Sequence, residues 1–306
     1  TTTWFRRRTI SGLCSSLSNS IKITVLPPIT DNVITSAKSS VCYNQVPVTI
    51  AGTGLTGGAG GTPKWIWQQS ADGNTWSSAS GINNQQNYTP PALTAKRWYR
   101  RIILSGPADC CSSISNVISI DIDPLPTGRI ITTSDTSLCN GQKVRLRVLL
   151  IGASEWSLTF NENSNSTTIN GIRAADTVLT VTPSATSALS VFNYSLNSLT
   201  DKNGCEAVLL TGTRKANVYR VPVANAGPDD QVCGSEYTLA AVKSDGAGLW
   251  TFPPQVLSSV PADPQTEIKI DSSFTTASVA YKFYWEERNW LCTSKDSVTI
   301  TFFKRI

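Results

Sequence analysis

The chain has 306 residues with no histidine and no methionine, and only 15% of it is charged. Without histidine it lacks the usual general base, the commonest metal ligand and every Ser–His or Cys–His pair. Its 26 basic and 21 acidic residues leave +5 with no dense Lys/Arg run, which excludes a nucleic-acid stripe, and no stretch reaches the ~20 apolar residues of a membrane-spanning helix.

Residues 1–27 read as the C-terminal part of a truncated domain. Strands are expected at 2–8 and 20–26 with a turn at Ser11-Gly12, and Pro27-Pro28 ends the segment because two prolines cannot continue a ladder. This tail has a counterpart further on. Cys14-Ser-Ser-Leu-Ser-Asn-Ser-Ile-Lys-Ile-Thr-Val-Leu-Pro27 returns as Cys111-Ser-Ser-Ile-Ser-Asn-Val-Ile-Ser-Ile-Asp-Ile-Asp-Pro124 with eight of fourteen positions identical, and Trp4-Phe-Arg-Arg7 returns as Trp98-Tyr-Arg-Arg101. Such repetition marks domain-sized repeats, and the sequence reads as a window from a longer polypeptide.

Residues 28–125 read as the first complete domain. A strand at 46–50 is followed by a Gly/Thr loop without phosphate-loop character. Lys64-Trp-Ile-Trp-Gln-Gln69 then alternates, placing Trp65 and Trp67 on one face. Asp72-Gly73 signals a hairpin before Trp76, and the last strands are expected at 97–104 and 116–122. Residues 126–221 repeat the plan, with strands at 143–151, 155–160, 177–181, 190–195 and 213–221 and a polar loop at 161–167. Residues 222–306 place strands at 236–241, 248–252, 266–270, 278–285 and 296–303, ending at Lys304-Arg-Ile306. Turn signals every ~8–12 residues without helical periodicity make the class all-β, a linear array of tandem β-sandwiches.

The cysteines are regular. Cys42, Cys139 and Cys233, near the domain starts, are 97 and 94 residues apart; Cys14, Cys111, Cys205 and Cys292, near the domain ends, are 97, 94 and 87 apart. Two cysteines per repeat predict one disulfide per domain, Cys42–Cys111, Cys139–Cys205 and Cys233–Cys292, stapling one end of each sandwich in an oxidising compartment. Cys14 is left without a partner and Cys110 competes with Cys111. The alternative is reduced, buried thiols; zinc is disfavoured because neither CxxC nor histidine occurs.

Several segments resemble a known family. Cys42-Tyr-Asn-Gln-Val-Pro-Val-Thr-Ile-Ala-Gly52, Trp67-Gln-Gln-Ser-Ala-Asp-Gly-Asn-Thr-Trp76, Tyr88-Thr-Pro-Pro-Ala-Leu-Thr94, Leu138-Cys-Asn-Gly141, Thr200-Asp-Lys-Asn-Gly-Cys205 and Asn225-Ala-Gly-Pro-Asp-Asp-Gln-Val-Cys233 look like the Ig-like/PKD-like tandem repeats of large Bacteroidota cell-surface adhesins, the SprB-type gliding adhesins among them. The resemblance covers essentially the whole chain. It implies Ig-like domains at 28–125 and 126–221, a PKD/Ig-like domain at 222–306, and an extracellular surface array exported by type IX secretion.

Candidate sites are few. Trp65, Trp67, Trp76 and Trp98 could form an aromatic platform for sugar rings; Trp67 reads as core, and Trp76 and Trp98 are the candidate ligand-facing aromatics, with packing as the favoured alternative. Arg100 and Arg101, with Arg6, Arg7 and Arg8, could meet an anionic glycan or a membrane, although alternation puts adjacent arginines on opposite faces, which favours solvated strands. Asp229 and Asp230 with Asp263, or Asp121 with Asp123, offer carboxylates to calcium at a domain junction without a 12-residue loop. Glu286 and Glu287 are adjacent on a strand and poorly placed as an acid/base pair. Asp176-Thr-Val178 and Asp296-Ser-Val298 match a short O-glycosylation pattern implied by the resemblance. The reading is a non-enzymatic stalk needing no cofactor, partnered by neighbouring domains of its own chain. Surface glycans or other surface and secretion proteins are further partners. The alternative is a glycan-binding module of a surface protein or surface enzyme.

Overall fold

A computed structural model describes residues 2–305 apart from positions 133, 259, 272 and 274. Ile306, the last residue of the Lys304-Arg-Ile306 ending, lies outside them. Among the described residues the only helical element is a 3-10 turn at Pro107–Asp109, and everything else regular is strand. The chain divides into two compact units, Thr1–Leu125 with Asn203–Cys205, and Pro126–Lys202 with Glu206–Ile306.

The first unit begins with β1 (Thr3–Phe5), β2 (Arg8–Ser11), β3 (Cys14–Leu17) and β4 (Ile21–Ile23), in which β1 pairs β4 and β2 pairs β3. One long strand over 2–8 was expected; it breaks at Arg6-Arg7 between two pairings. A sandwich follows: β5 (Ile34–Thr35), β6 (Ser40–Cys42), β7 (Ala51–Gly52), β8 (Lys64–Ser70), β9 (Ser77–Ser78), β10 (Arg97–Ser105), β11 (Cys111–Ile114) and β12 (Ile118–Asp123). Its main sheet runs β6-β12-β10-β8-β9, with β11 also on β10. Opposite lie β5-β7 and the bridges Ile50↔Tyr88 and Gln45↔Leu93, in place of the strand expected at 46–50. The sequence repeat is also a repeat of register. Trp4↔Lys22 and Phe5↔Ile21 recur as Trp98↔Ser119 and Tyr99↔Ile118, and Ser11↔Cys14 recurs as Ser105↔Cys111.

The second unit holds two sandwiches. The first comprises β13 (Thr127–Ile130), β14 (Thr136–Cys139), β15 (Val144–Ile151), β16 (Trp156–Glu162), β17 (Asn165–Ile172), β18 (Asp176–Val181), β19 (Leu189–Thr200), β20 (Leu210–Thr211) and β21 (Thr213–Tyr219), in sheets β18-β15-β13-β20 and β14-β21-β19-β16-β17. The second comprises β22 (Asp230–Cys233), β23 (Glu236–Thr238), β24 (Ala247–Thr251), β25 (Val256–Ser258), β26 (Glu267–Ile270), β27 (Ser278–Asn289) and β28 (Cys292–Phe303), in sheets β22-β28-β27-β24 and β23-β26-β25.

Alternation explains the strands. β15 reads Val-Arg-Leu-Arg-Val-Leu-Leu-Ile and buries every second side chain, so Val144, Leu146, Val148 and Leu150 face the core. Each sandwich carries its own core: Ile34, Ile50, Trp67, Tyr88 and Tyr99 in the first; Leu146, Trp156, Leu158 and Tyr194 in the second; Trp250, Ile268, Phe283, Trp285 and Phe302 in the third. Aromatic stacking fills the first, with Trp67 and Tyr88 centroids 5.4 Å apart.

The expected disulfides are not the ones formed. Cys42 is bonded to Cys205 and Cys139 to Cys292, with Cα separations of 5.5 and 5.6 Å. Cys14, Cys110, Cys111 and Cys233 are free thiols. The cause is strand direction. β6, β14 and β22 each pair in parallel with the last strand of their own sandwich, setting Cys42 opposite Asp123, Cys139 opposite Tyr219 and Cys233 opposite Phe303. Each strand-end cysteine therefore sits where its sandwich's last strand finishes. The turn cysteine sits where that strand begins. Cys292 opens β28 and Cys233 faces its last residue, which places them roughly 35 Å apart at ~3.4 Å per residue, far beyond disulfide reach.

Candidate functional site

The groups brought together at the ends of the sandwiches are the two bonded cysteine pairs and their surroundings. Around Cys139–Cys292 the geometry is dense. β27 and β28 are joined by the two-residue turn Trp290-Leu291, and Trp290 takes a left-handed backbone at φ 55°. Its ring stacks on Tyr219, centroids 5.1 Å and planes 14° apart. Tyr219 is the residue that β14 places opposite Cys139. Asn289 Nδ2 donates to the carbonyls of Ala188 (2.7 Å) and Arg220 (2.8 Å), supplying donors to backbone acceptors at the end of the preceding sandwich. Arg220 Nη1 meets Asp245 Oδ2 at 3.1 Å, and its Nη2 donates to the Thr186 carbonyl.

The linker Val221-Pro-Val223 is held by a chain of hydrogen bonds. Val223 N–H donates to Ser244 Oγ at 2.9 Å, and Ser244 donates through Oγ (2.6 Å) and N–H (3.0 Å) to the Glu287 carboxylate. Trp285 Nε1 donates to the same carboxylate at 3.1 Å. Glu287 is fully buried. Burial by itself would raise its pKa, but the donors from Ser244, Trp285 and the Gly246 backbone outweigh it and hold the carboxyl below its ordinary value. Glu286 points the other way, half-exposed and 3.6 Å from Arg288. The two glutamates are thus separated by the strand, and Glu287 is a positioning group for the linker.

Trp76 and Trp98 lie away from the core, on the outward side of the sheet formed by β8 and β10. Each is half-buried and each ring is covered by a cation, Arg100 over Trp76 at 4.3 Å and Lys96 over Trp98 at 5.1 Å. Arg100 Nε also donates to Gln68 Oε1 at 2.8 Å. Gly73, at φ 78°, lies against the Trp98 indole, where an added Cβ would stand 3.4 Å from the indole nitrogen. Trp67 is buried, as its reading as core requires.

Arg101 departs from the expectation of a solvated strand face. It is fully buried, donating from Nε and Nη2 to Asn32 Oδ1 (3.1 and 2.9 Å), from Nη1 to the Gln86 carbonyl (2.8 Å) and from Nη2 to the Thr53 carbonyl (2.9 Å). Trp65 lies against the guanidinium at 4.6 Å. These partners are neutral, and burial lowers the Arg101 pKa. Gly52 is required beside it, because a Cβ there would stand 1.8 Å from Nη1.

The aspartates proposed for calcium are engaged locally. Asp121 pairs with Lys96 at 2.8 Å, Asp123 accepts the Ser40 hydroxyl at 2.7 Å, Asp229 accepts the Thr299 N–H at 2.7 Å, Asp230 accepts the Tyr237 hydroxyl at 2.8 Å and Asp263 accepts the Gln265 N–H at 2.9 Å. Among the described residues no three His, Cys, Asp or Glu converge in a metal-ligating group. Asp176 forms a bidentate pair with Arg147.

Residues 31–124 match the model of a family described as a domain of unknown function (DUF8696). No curated protein matches the chain. Among solved structures it is similar to an I-band fragment of titin, at 12% identity over 92% of this chain and 99% of that one, with a TM-score of 0.48. It is similar to a Drosophila N-cadherin fragment at 8% identity, over 100% and 83%, with a TM-score of 0.37. A 1.5-MDa bacterial ice-binding adhesin shares 11% identity over 90% and 98%, with a TM-score of 0.34. At these scores the likenesses carry no functional meaning for the chain.

Proposed function

We propose that this chain is a non-enzymatic structural segment of a large secreted bacterial surface adhesin, in which sandwiches at 28–125, 126–221 and 222–306 space a distal adhesive site from the cell. The observation that carries the reading is the Cys139–Cys292 bond with the Tyr219–Trp290 stack beside it. A spacer has to bear tension without lengthening, and a covalent bond parallel to a short linker keeps the linker from taking the load alone. Disulfides of this kind belong to an oxidising, extracytoplasmic setting. A Bacteroidota source, export by type IX secretion and a part in gliding motility are the finer form of the proposal, resting on the sequence resemblance. The cations over Trp76 and Trp98 support the spacer over a sugar-binding module, because they occupy the ring faces a sugar would need.

Pulling the chain by its ends in a force spectrometer tests the reading. Reduced, 306 residues extend to about 1,000 Å. Oxidised, the covalent path skips from Cys42 to Cys205 and from Cys139 to Cys292, and the length released is expected to fall below about 500 Å. Equal release in both states would remove the mechanical basis of the proposal. Saturable binding to a glycan array, lost in Trp76→Ala and Trp98→Ala, would replace it with the sugar-binding reading.

A further inference from the structure

Both disulfides obey one rule. A strand-end cysteine, opposite the closing residues of its sandwich's last strand, is bonded to a turn cysteine 163 or 153 residues later. Cys233 occupies the same structural place, with β22 parallel to β28 and Cys233 opposite Phe303, but its thiol is free and exposed. A second observation marks the place independently. Phe303 is the positional equivalent of Tyr219, the ring on which the turn residue Trp290 stacks, and it is left 37% exposed. Cys233, Ala277, Phe303, Lys304 and Arg305 line one open depression of about 870 Å³.

We propose that Cys233 is the acceptor of a third disulfide, formed with the turn cysteine of a like sandwich following in the same polypeptide, with Phe303 as the platform for that turn. Counted from the residue opposite the strand-end cysteine, the turn cysteine follows by 82 residues (Asp123 to Cys205) or 73 (Tyr219 to Cys292), which from Phe303 puts the partner roughly 143–152 residues beyond Cys233. In forming the bond, the Cys233 thiolate attacks the disulfide of an oxidant, itself a protein or low-molecular-weight disulfide, and expels one of its thiolates. The turn-cysteine thiolate then attacks the Cys233 sulfur of the mixed disulfide and expels the second. Two protein thiols lose two electrons and two protons, and the oxidant is released as two thiol groups, on one molecule for a protein disulfide and on two for glutathione disulfide.

This inference rests on the spacer reading only for the presence of a following like sandwich. The test appends a second copy of residues 222–306, carrying Cys233→Ser, to the full chain, oxidises it with glutathione disulfide and maps the disulfides by non-reducing peptide mass analysis. The expected result is a Cys233 peptide joined to a Cys292 peptide, with maleimide labelling of Cys233 falling at least tenfold, and recovery of labelling when the appended copy also carries Cys292→Ser. Full labelling of Cys233 beside a protease-resistant appended copy overturns the proposal and leaves the spacer reading standing, as does pairing of Cys233 with Cys14, Cys110 or Cys111 or with a second molecule as a reducible dimer. Should the appended copy be protease-sensitive, the same map on the protein as its own cells make it decides: a Cys233 peptide joined to one from beyond residue 306 supports the rung, and an alkylatable Cys233 overturns it.

Discussion

Trp290 lies flat on Tyr219, two residues from the sulfur that is bonded to Cys139. Bond and stack close the same junction, so their losses should not add. Cys139→Ser is expected to lower stability by about 2–5 kcal/mol and Trp290→Ala by about 1 kcal/mol, with the double variant losing less than the sum. Thermal unfolding of the three variants measures this; strict additivity would separate the stack from the bond.

Arg101 makes a different demand. Its guanidinium supplies donors to the buried Asn32 amide oxygen and to the part-buried Thr53 and Gln86 carbonyls, so Arg101→Met strands these acceptors and should cost about 3 kcal/mol. Arg101→Lys should not rescue it, since a point ammonium cannot reproduce the planar fork. Arg100→Ala, on the half-exposed side, should cost about 1 kcal/mol or less. Urea titrations that rank Arg100→Ala at or above Arg101→Met would refute the assignment.

The acid limb of stability should report Glu287. Its carboxyl is held below the ordinary value in the fold, so its contribution is complete above the unfolded pKa, near pH 4.5, and is lost as pH falls through the lower folded value. Glu287→Gln should be less stable than the parent by about 1–3 kcal/mol at pH 7, with the gap narrowing below about pH 4. A gap that stays constant from pH 7 to 3 would show that the charge is not what Ser244 and Trp285 recognise.

Lys96 covers Trp98, and its removal should open that ring. Lys96→Ala is expected to raise acrylamide quenching of indole fluorescence relative to the parent while shifting stability by only about 0.5–1 kcal/mol. Unchanged quenching would mean that the Asp72–Gly73 loop alone shields the indole.

Much of the sandwich architecture is legible in residue order, because half-buried strands write their period into the sequence. The Val144–Ile151 alternation shows this directly. β17 begins inside the polar loop expected at 161–167, since Asn165-Ser-Thr-Thr-Ile-Asn-Gly-Ile172 lies mostly on an exposed edge and only Ile169 and Ile172 turn to the core, too few to write a strand period. Arg101 was hidden for the opposite reason. Nothing in an Arg-Arg pair says that one guanidinium turns inward to backbone carbonyls from distant loops. The cysteine spacing correctly implied a repeated covalent device, but spacing is blind to strand direction. Only the parallel pairing of β14 with β21 and of β22 with β28 reveals which end of a sandwich each thiol occupies.

The two bonds overlap along the chain, since Cys139 falls between Cys42 and Cys205, and Cys205 between Cys139 and Cys292. Any single peptide cleavage between Cys42 and Cys292 therefore leaves both fragments attached through sulfur. A protease that nicks one surface loop damages the polymer locally without severing it, and parting the two ends takes three cuts, one in each of the stretches 42–139, 139–205 and 205–292.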